Sequence, residues 1–294
     1  MSLSLTGTKF VVLQDRGVLA IGGDERASFL QGLISNDTAR ISEERAIYAA
    51  LLTAQGKYLH DFILVAHDEA IWLDGETARL ADLRRRLTMY RLRAKVTIDE
   101  RPELAVAAIY GGATAGGPGA AERLADGVVL TDPRLAALGA RAVLPRDKIR
   151  AALRDGGAVE GDVAEYDRLR LGLGVPDGSR DLALDKSILL ESGFDELNGV
   201  DWDKGCYIGQ ELTARTKYRG LIKKRLFPVR IDGPAPEPGA VVMRDGHEAG
   251  EIRSSRGGVG LALLRLEAIA GGGALTAGNA RIIPTTPDWM RLPE

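Results

Sequence analysis

The chain has 294 residues, 45% hydrophobic and 27% charged, the composition of an ordinary globular protein with apolar side chain enough for one large or two smaller cores. Its 39 basic and 41 acidic residues give a formal charge of -2, which leaves no global field for capturing nucleic acid or an anionic membrane, so any basic surface is local. A single cysteine excludes an internal disulfide, and together with three histidines it is too little for a closed, Cys-rich structural zinc site.

In chain order, apolar runs at Lys9 to Leu13 and Gly17 to Ile21 flank Asp15-Arg16-Gly17, a composition suited to a tight hairpin. The period then changes: Asp24 is placed to cap a helix carrying Ala27, Leu30 and Ile34, with Asn36-Asp37 at its end. Ala46 to Leu52 and Tyr58 to Ala66 read as buried strands joined by Thr53-Ala54-Gln55-Gly56-Lys57, and Ala70 to Leu73 adds another. Leu80, Leu83 and Leu87 are spaced for one buried helix face, which spreads Arg84, Arg85 and Arg86 over the sides as a solvated face, with an RNA-facing patch as the alternative.

Strand-like stretches at Lys95 to Asp99 and Ala105 to Tyr110 precede Gly111 to Ala120, which is too poor in bulk to pack and reads as a surface loop. It lacks the Gly-Lys-Ser/Thr ending of a phosphate-binding loop. Asp147 to Arg154 and Asp162 to Leu171 read as helices, the second stopped by Pro176. From Leu226 onward short β-like runs separated by Gly and Pro turns predict a small all-β module, with its boundary near Leu221 to Arg225.

Between these parts, Asn198 to Glu211 is dense in residues that turn, ligate and hydrogen-bond, and it reads as a site loop. It holds the lone thiol in Lys204-Gly205-Cys206-Tyr207-Ile208-Gly209-Gln210-Glu211. Gly205 and Gly209 can adopt conformations closed to other residues, and Lys204, Arg215 and Lys217 supply positive charge that favours thiolate over thiol. Glu211 is placed to open a helix through Leu212, or to serve as a plain capping charge. His60, His67 and His247 are the only imidazoles, none in a catalytic signature, and His60 and His67 read as surface or strand-end residues. A thiol without a base is better read as a soft-metal ligand than as a nucleophile, and a single thiolate needs further ligands from a partner to hold an iron–sulfur cluster.

The octapeptide from Lys204 to Glu211 resembles the signature of the YgfZ/Iba57 family, relatives of the glycine-cleavage aminomethyltransferase. The flank Leu212-Thr213-Ala214-Arg215-Thr216 and Gly220 to Leu226, with blocks Leu30 to Asp37 and Leu52 to Phe62, extends the likeness over nearly the whole chain. The resemblance implies an α+β, aminomethyltransferase-like fold: mixed α/β domains around a central channel over residues 1–222, with a loop near 111–120, and a C-terminal β-barrel over 223–294. It also implies an iron–sulfur assembly or repair factor for [4Fe–4S] proteins, linked to tRNA thiomethylation by radical-SAM enzymes. Cys206 would be a thiolate shared with an A-type carrier, Lys204 and Arg215 keeping its loop electropositive. Tetrahydrofolate is an implied ligand, with Asn36, Asp37, Asp61, Glu191 and Asp195 as candidates for it. One departure is plain: Arg170 stands where the aminomethyltransferases carry a pterin-holding glutamate, which counts against the alternative of a folate-dependent one-carbon transferase. No segment approaches the ~18 to 20 apolar residues needed to span a bilayer, and the amino terminus shows no basic region followed by a long apolar stretch. The expectation is a soluble, cytoplasmic protein that binds neither membrane nor nucleic acid.

Overall fold

A computed structural model describes residues 5–112 and 116–292. Strands β1 (Lys9–Leu13) and β2 (Arg16–Gly22) are followed by helix α1 (Arg26–Gln31), strands β3 (Ile47–Leu52), β4 (Tyr58–His67) and β5 (Ala70–Glu76), helix α2 (Leu80–Arg91), and strands β6 (Thr97–Glu100) and β7 (Leu104–Tyr110). Strands β8 (Ala121–Leu124), β9 (Gly127–Thr131) and β10 (Ala140–Pro145), helix α3 (Ile149–Asp155), strand β11 (Val159–Glu160), and helices α4 (Val163–Gly172), α5 (Gly178–Asp181) and α6 (Gln210–Tyr218) come next. The chain closes with β12 (Lys224–Asp232), β13 (Val241–Arg244), β14 (His247–Arg256), β15 (Val259–Arg265), α7 (Leu266–Ala270), β16 (Leu275–Ala277) and β17 (Ala280–Pro284). Among the described residues no helix is long and apolar enough to cross a membrane.

The strands form a six-stranded sheet ordered β11-β1-β7-β10-β9-β8, a five-stranded sheet ordered β3-β4-β5-β2-β6, and a closed barrel ordered β12-β15-β14-β13-β16-β17. The chain divides into two compact units: Met1–Leu51, His60–Tyr166 and Asn198–Ile208 make the first; Leu52–Leu59, Asp167–Leu197 and Gly209–Glu294, barrel included, make the second. The expected hairpin at Asp15-Arg16 does not form. β1 is taken up by β7 on one side and β11 on the other, and β2 by β5 and β6, so neither strand has an edge left to offer its sequence neighbour.

In the six-stranded sheet, Phe10 and Val12, Ala107 and Ile109 alternate onto one face, and Ile149 and Leu153 of α3 cover it. Leu80, Leu83 and Leu87 are the buried residues of α2, as their spacing predicts. The helix expected from Asp24 to Asn36 is shorter: it ends at Gln31, its N-cap is Glu25 with no side-chain cap bond, and Ile34 leaves it to bridge Leu51. Of the loop expected at Gly111 to Ala120, residues 113–115 lie outside the described residues, while Ala120 bridges Arg45.

The two sheets of the first unit meet across a chain of buried charges. Arg16 on β2 donates to Asp74 on β5 at 2.7 Å, and Arg141 on β10 donates to Asp74 at 2.7 Å and to Asp132 at 3.1 Å. Asp132 also accepts from Arg134 at 2.8 and 2.9 Å, and the Arg134 guanidinium lies 5.6 Å from the Tyr48 ring centroid. Burial pushes the Asp132 carboxyl up, but the charges of Arg134 and Arg141 outweigh it and hold its pKa well below the usual carboxylate range. Removing any one member would strand a charge in a dry interior, so the network ties sheet to sheet.

Candidate functional site

The first unit presents Cys206 on a loop, Asn198 to Ile208, built against residues 31–40. Asn198 enters the loop in the left-handed region at φ +58°, which Asn tolerates because its short amide can bond locally. That amide donates to the Pro133 carbonyl at 3.0 Å. Ser35 Oγ donates to Gly199 O at 2.5 Å, the backbone N–H of Asp201 to Ser35 O at 3.0 Å, and that of Ile208 to Gly32 O at 3.2 Å. Asp201 Oδ1 accepts the backbone N–H groups of Asp203 and Lys204 at 2.8 and 2.9 Å, closing a tight turn, and its other oxygen lies 2.6 Å from Arg40.

At the centre of this latch is Lys204. Its ammonium donates to three main-chain carbonyls, Gln31 at 2.8 Å, Ile34 at 2.6 Å and Asn36 at 2.9 Å, and sits 4.9 Å from the Tyr207 ring centroid. Burial lowers its pKa to about 8, while Asp37 and Asp201 act in the opposite direction. An ammonium has three N–H groups, and all three are committed to carbonyls. Lys204 therefore staples the loop to the end of α1 and leaves no N–H for the thiol. Gly205 also differs from expectation, with no positive φ and open space where a Cβ would sit.

Cys206 is exposed at the tip of this frame, with Tyr207 buried beneath. Among the described residues no side chain hydrogen-bonds to the thiol. His60 and His67, expected at the surface, are buried. His60 Nε2 lies 3.0 Å from Asp82, and burial brings its pKa down to about 4; the His67 ring stacks on Trp72 at 3.9 Å. Both are pulled in because β4 is buried along nearly its whole length, so its polar residues must find internal partners.

In the second unit Gly209, at φ +83°, starts α6. A Cβ there would come within 2.4 Å of the Thr53 carbonyl, and one on Gly56 (φ +78°) within 2.6 Å of Leu212 Cβ. The Thr53 to Lys57 turn and the start of α6 thus approach as only glycine allows. Gln210 and Glu211 form the first turn of α6, and Arg215 is exposed in its last.

Of the five residues offered for a pterin, four are engaged with protein groups. Asn36 donates both amide N–H groups to the carbonyls of Tyr48 and Asn198, at 2.7 and 2.8 Å, and its oxygen accepts from Asp37 N at 2.8 Å. Asp37 caps a turn through Ala39 N and accepts from Gln31. Asp61 is buried and accepts the Tyr48 hydroxyl at 2.9 Å. Asp195, in the second unit, pairs with Lys217 at 3.1 Å. Glu191, also there, is a half-buried carboxyl whose pKa burial raises. Arg170 is buried with Asp167 and Asp181, at 2.8 and 2.6 Å, and also donates to Val175 O, which makes it a structural cation. Apart from Asn36 and Asn198, these partners lie 1 to 22 residues apart, and what sequence reasoning missed is which of the nearby polar side chains pair.

Fold and site together define a protein of aminomethyltransferase fold that displays one framed, exposed thiol. The glycine cleavage system aminomethyltransferase T from Bartonella henselae superposes with a TM-score of 0.77 at 15% identity, covering 96% of this chain and 86% of that one. Residues 223–292 match the family model for the CAF17 C-terminal beta-barrel domain. The mitochondrial iron–sulfur cluster assembly factor IBA57 of Mus musculus is 37% identical and that of Homo sapiens 38%, each alignment covering 94% of this chain and 84% of the relative. The chain belongs to the IBA57 family of iron–sulfur cluster assembly factors. The expectation of a cytoplasmic protein is corrected by the same relatives, which are named as mitochondrial. A lone cysteine indicates a reducing compartment but does not distinguish one such compartment from another.

Proposed function

We propose that Cys206 is the working group of this assembly factor, a thiolate that takes one coordination position of an iron–sulfur cluster while a partner protein supplies the others. The observation that carries this reading is an exposed thiol at the tip of a loop pinned by Lys204, Ser35 and Asp201. The cluster is cargo. As the sulfur–iron bond forms, the thiol proton leaves to solvent, and no base beside Cys206 is required at a surface open to water. One thiolate against the usual four cluster ligands makes the site intermolecular. Its partner is then an A-type carrier, and its clients are [4Fe–4S] enzymes, including the radical-SAM enzymes of tRNA thiomethylation. Lys204 and Gly209 serve as positioning residues.

Replacing Cys206 with Ala tests this. Removing an exposed side chain is expected to leave stability within ~0.5 kcal/mol, while client-enzyme activity in cells is lost. Unchanged client activity would sink the reading. Tetrahydrofolate binding is suggested by the fold likeness alone, and the engaged side chains of Asn36, Asp37 and Asp195 together with Arg170 weigh against it. Titration of the protein with tetrahydrofolate should give no saturable signal, and a saturable one would revive the one-carbon transferase alternative.

A further inference from the structure

The second half of α6 and the turn after it carry a surface that thiolate ligation by Cys206 does not use. Tyr218 and Leu221 are 74% and 47% exposed, an unusual display for large side chains in a short stretch. From Leu212 to Ile231 the sequence contains no Asp or Glu. Of the seven cations in this stretch, Lys217 is paired with Asp195 and Arg225 with Glu196, while Lys224 acts on Glu191 and Arg230 lies on β12. Arg215, Arg219 and Lys223 are exposed and have no carboxylate partner among the described residues.

Arg215 and Tyr218 stand at i and i+3 on α6 and so share one side of it, Arg219 follows as its C-cap, and Thr213 and Thr216 are the helix's buried residues. Tyrosine and arginine are among the residue types enriched at protein interfaces and at their hot spots. Cations without a carboxylate partner among the described residues favour an acidic surface that covers them. α6 also begins four residues after Cys206 in the sequence.

We infer that the Arg215–Tyr218–Arg219 stripe with Leu221 is the docking face for an acidic surface on the protein that shares its cluster with Cys206. This rests on the reading of Cys206 as a cluster ligand. A nucleic-acid partner suits the face less well. The two arginines of the stripe neutralise few phosphates, the chain as a whole is slightly acidic, and Leu221 offers nothing to a phosphate backbone.

The test measures binding of the full-length protein to the A-type carrier by calorimetry, with the carrier cluster-loaded and cluster-free, at low and high salt. Tyr218→Ala and Arg219→Glu are each expected to weaken both carrier forms about 10-fold or more, and the Arg219→Glu effect should shrink at high salt. Both positions are exposed, so the melting temperature should stay that of the parent, which separates lost docking from lost folding. Cys206→Ala is expected to weaken only the cluster-loaded carrier. Wild-type affinity in both surface variants overturns the docking face, even if Cys206→Ala behaves as expected. If Cys206→Ala binds the loaded carrier normally while the surface variants do not, the face stands and the cysteine reading fails. Tighter binding of a single-stranded RNA oligonucleotide than of the carrier, lost in the same variants, also overturns the proposal.

Discussion

Replacing Lys204 with Met keeps most of the side chain's length and removes its three N–H donors. The carbonyls of Gln31, Ile34 and Asn36 would then face a thioether, in a place where the ammonium now sits 2.6 to 2.9 Å away. A charge-assisted bond contributes ~1.5 to 3 kcal/mol net, and here the ammonium is further desolvated, as its lowered pKa shows, which offsets part of the gain. A net loss of ~2 kcal/mol is expected, concentrated in the Asn198 to Ile208 loop. Lys204→Arg should rescue little, because a planar guanidinium cannot aim three donors at three carbonyls arranged around a point. Hydrogen exchange resolves the loop from the rest: protection of Asp203, Lys204 and Ile208 amides should fall while that of β7 stays unchanged, and Cys206 should react faster and less uniformly with a thiol reagent. The pH dependence has one sign. Between about 8 and the unfolded value near 10.5 the folded state binds fewer protons, so global stability from this group rises with pH as the buried charge disappears. The same linkage governs opening of the loop, which returns the amine to water, so the loop should tighten over that window. Unchanged loop protection in Lys204→Met, or a loop that loosens between about pH 8 and 10.5, would refute this account.

Two further outcomes follow from the surroundings of the site. Asp132→Ala leaves Arg134 and Arg141 buried without their shared carboxylate and should cost ~3 to 5 kcal/mol, read as a lower urea midpoint. In the parent protein the depressed Asp132 pKa means that the folded state resists protonation. Its stabilisation is therefore present above the ordinary carboxylate range and lost as pH falls below about 4, where acid unfolding should begin; the Asp132→Ala variant should show a shallower acid limb. Gly209→Ala meets both a positive φ and a carbonyl at 2.4 Å, so it should lower the melting temperature and cut client activity while leaving the thiol present, as a thiol count would verify.

Much of this was legible in the residues. Buried strands such as Ile47–Leu52 and Tyr58–His67 stand out because nearly every side chain is apolar or β-forming, and the three leucines of α2 mark its buried face. The short barrel strands show as apolar alternation, with Phe227, Val229 and Ile231 turned to the barrel core. Pairing was not legible: β1 and β2 are neighbours in sequence but enter different sheets, and no local pattern encodes a partner about a hundred residues away. β8, β9 and β10 were missed because Ala, Gly and Arg dilute their hydrophobic signal. The Cys206 loop could be singled out by its composition. The task of Lys204 could not, because its three acceptors lie some 170 residues upstream and belong to the main chain.

That last detail bears on how the site tolerates change. Every residue type carries a backbone carbonyl, so substitution at 31, 34 or 36 that preserves the local backbone leaves the tripod of acceptors intact. The geometry is encoded redundantly on one side and by a single side chain on the other. Mutational sensitivity should therefore be lopsided, with broad tolerance at the acceptor side chains as far as this contact is concerned, and almost none at position 204.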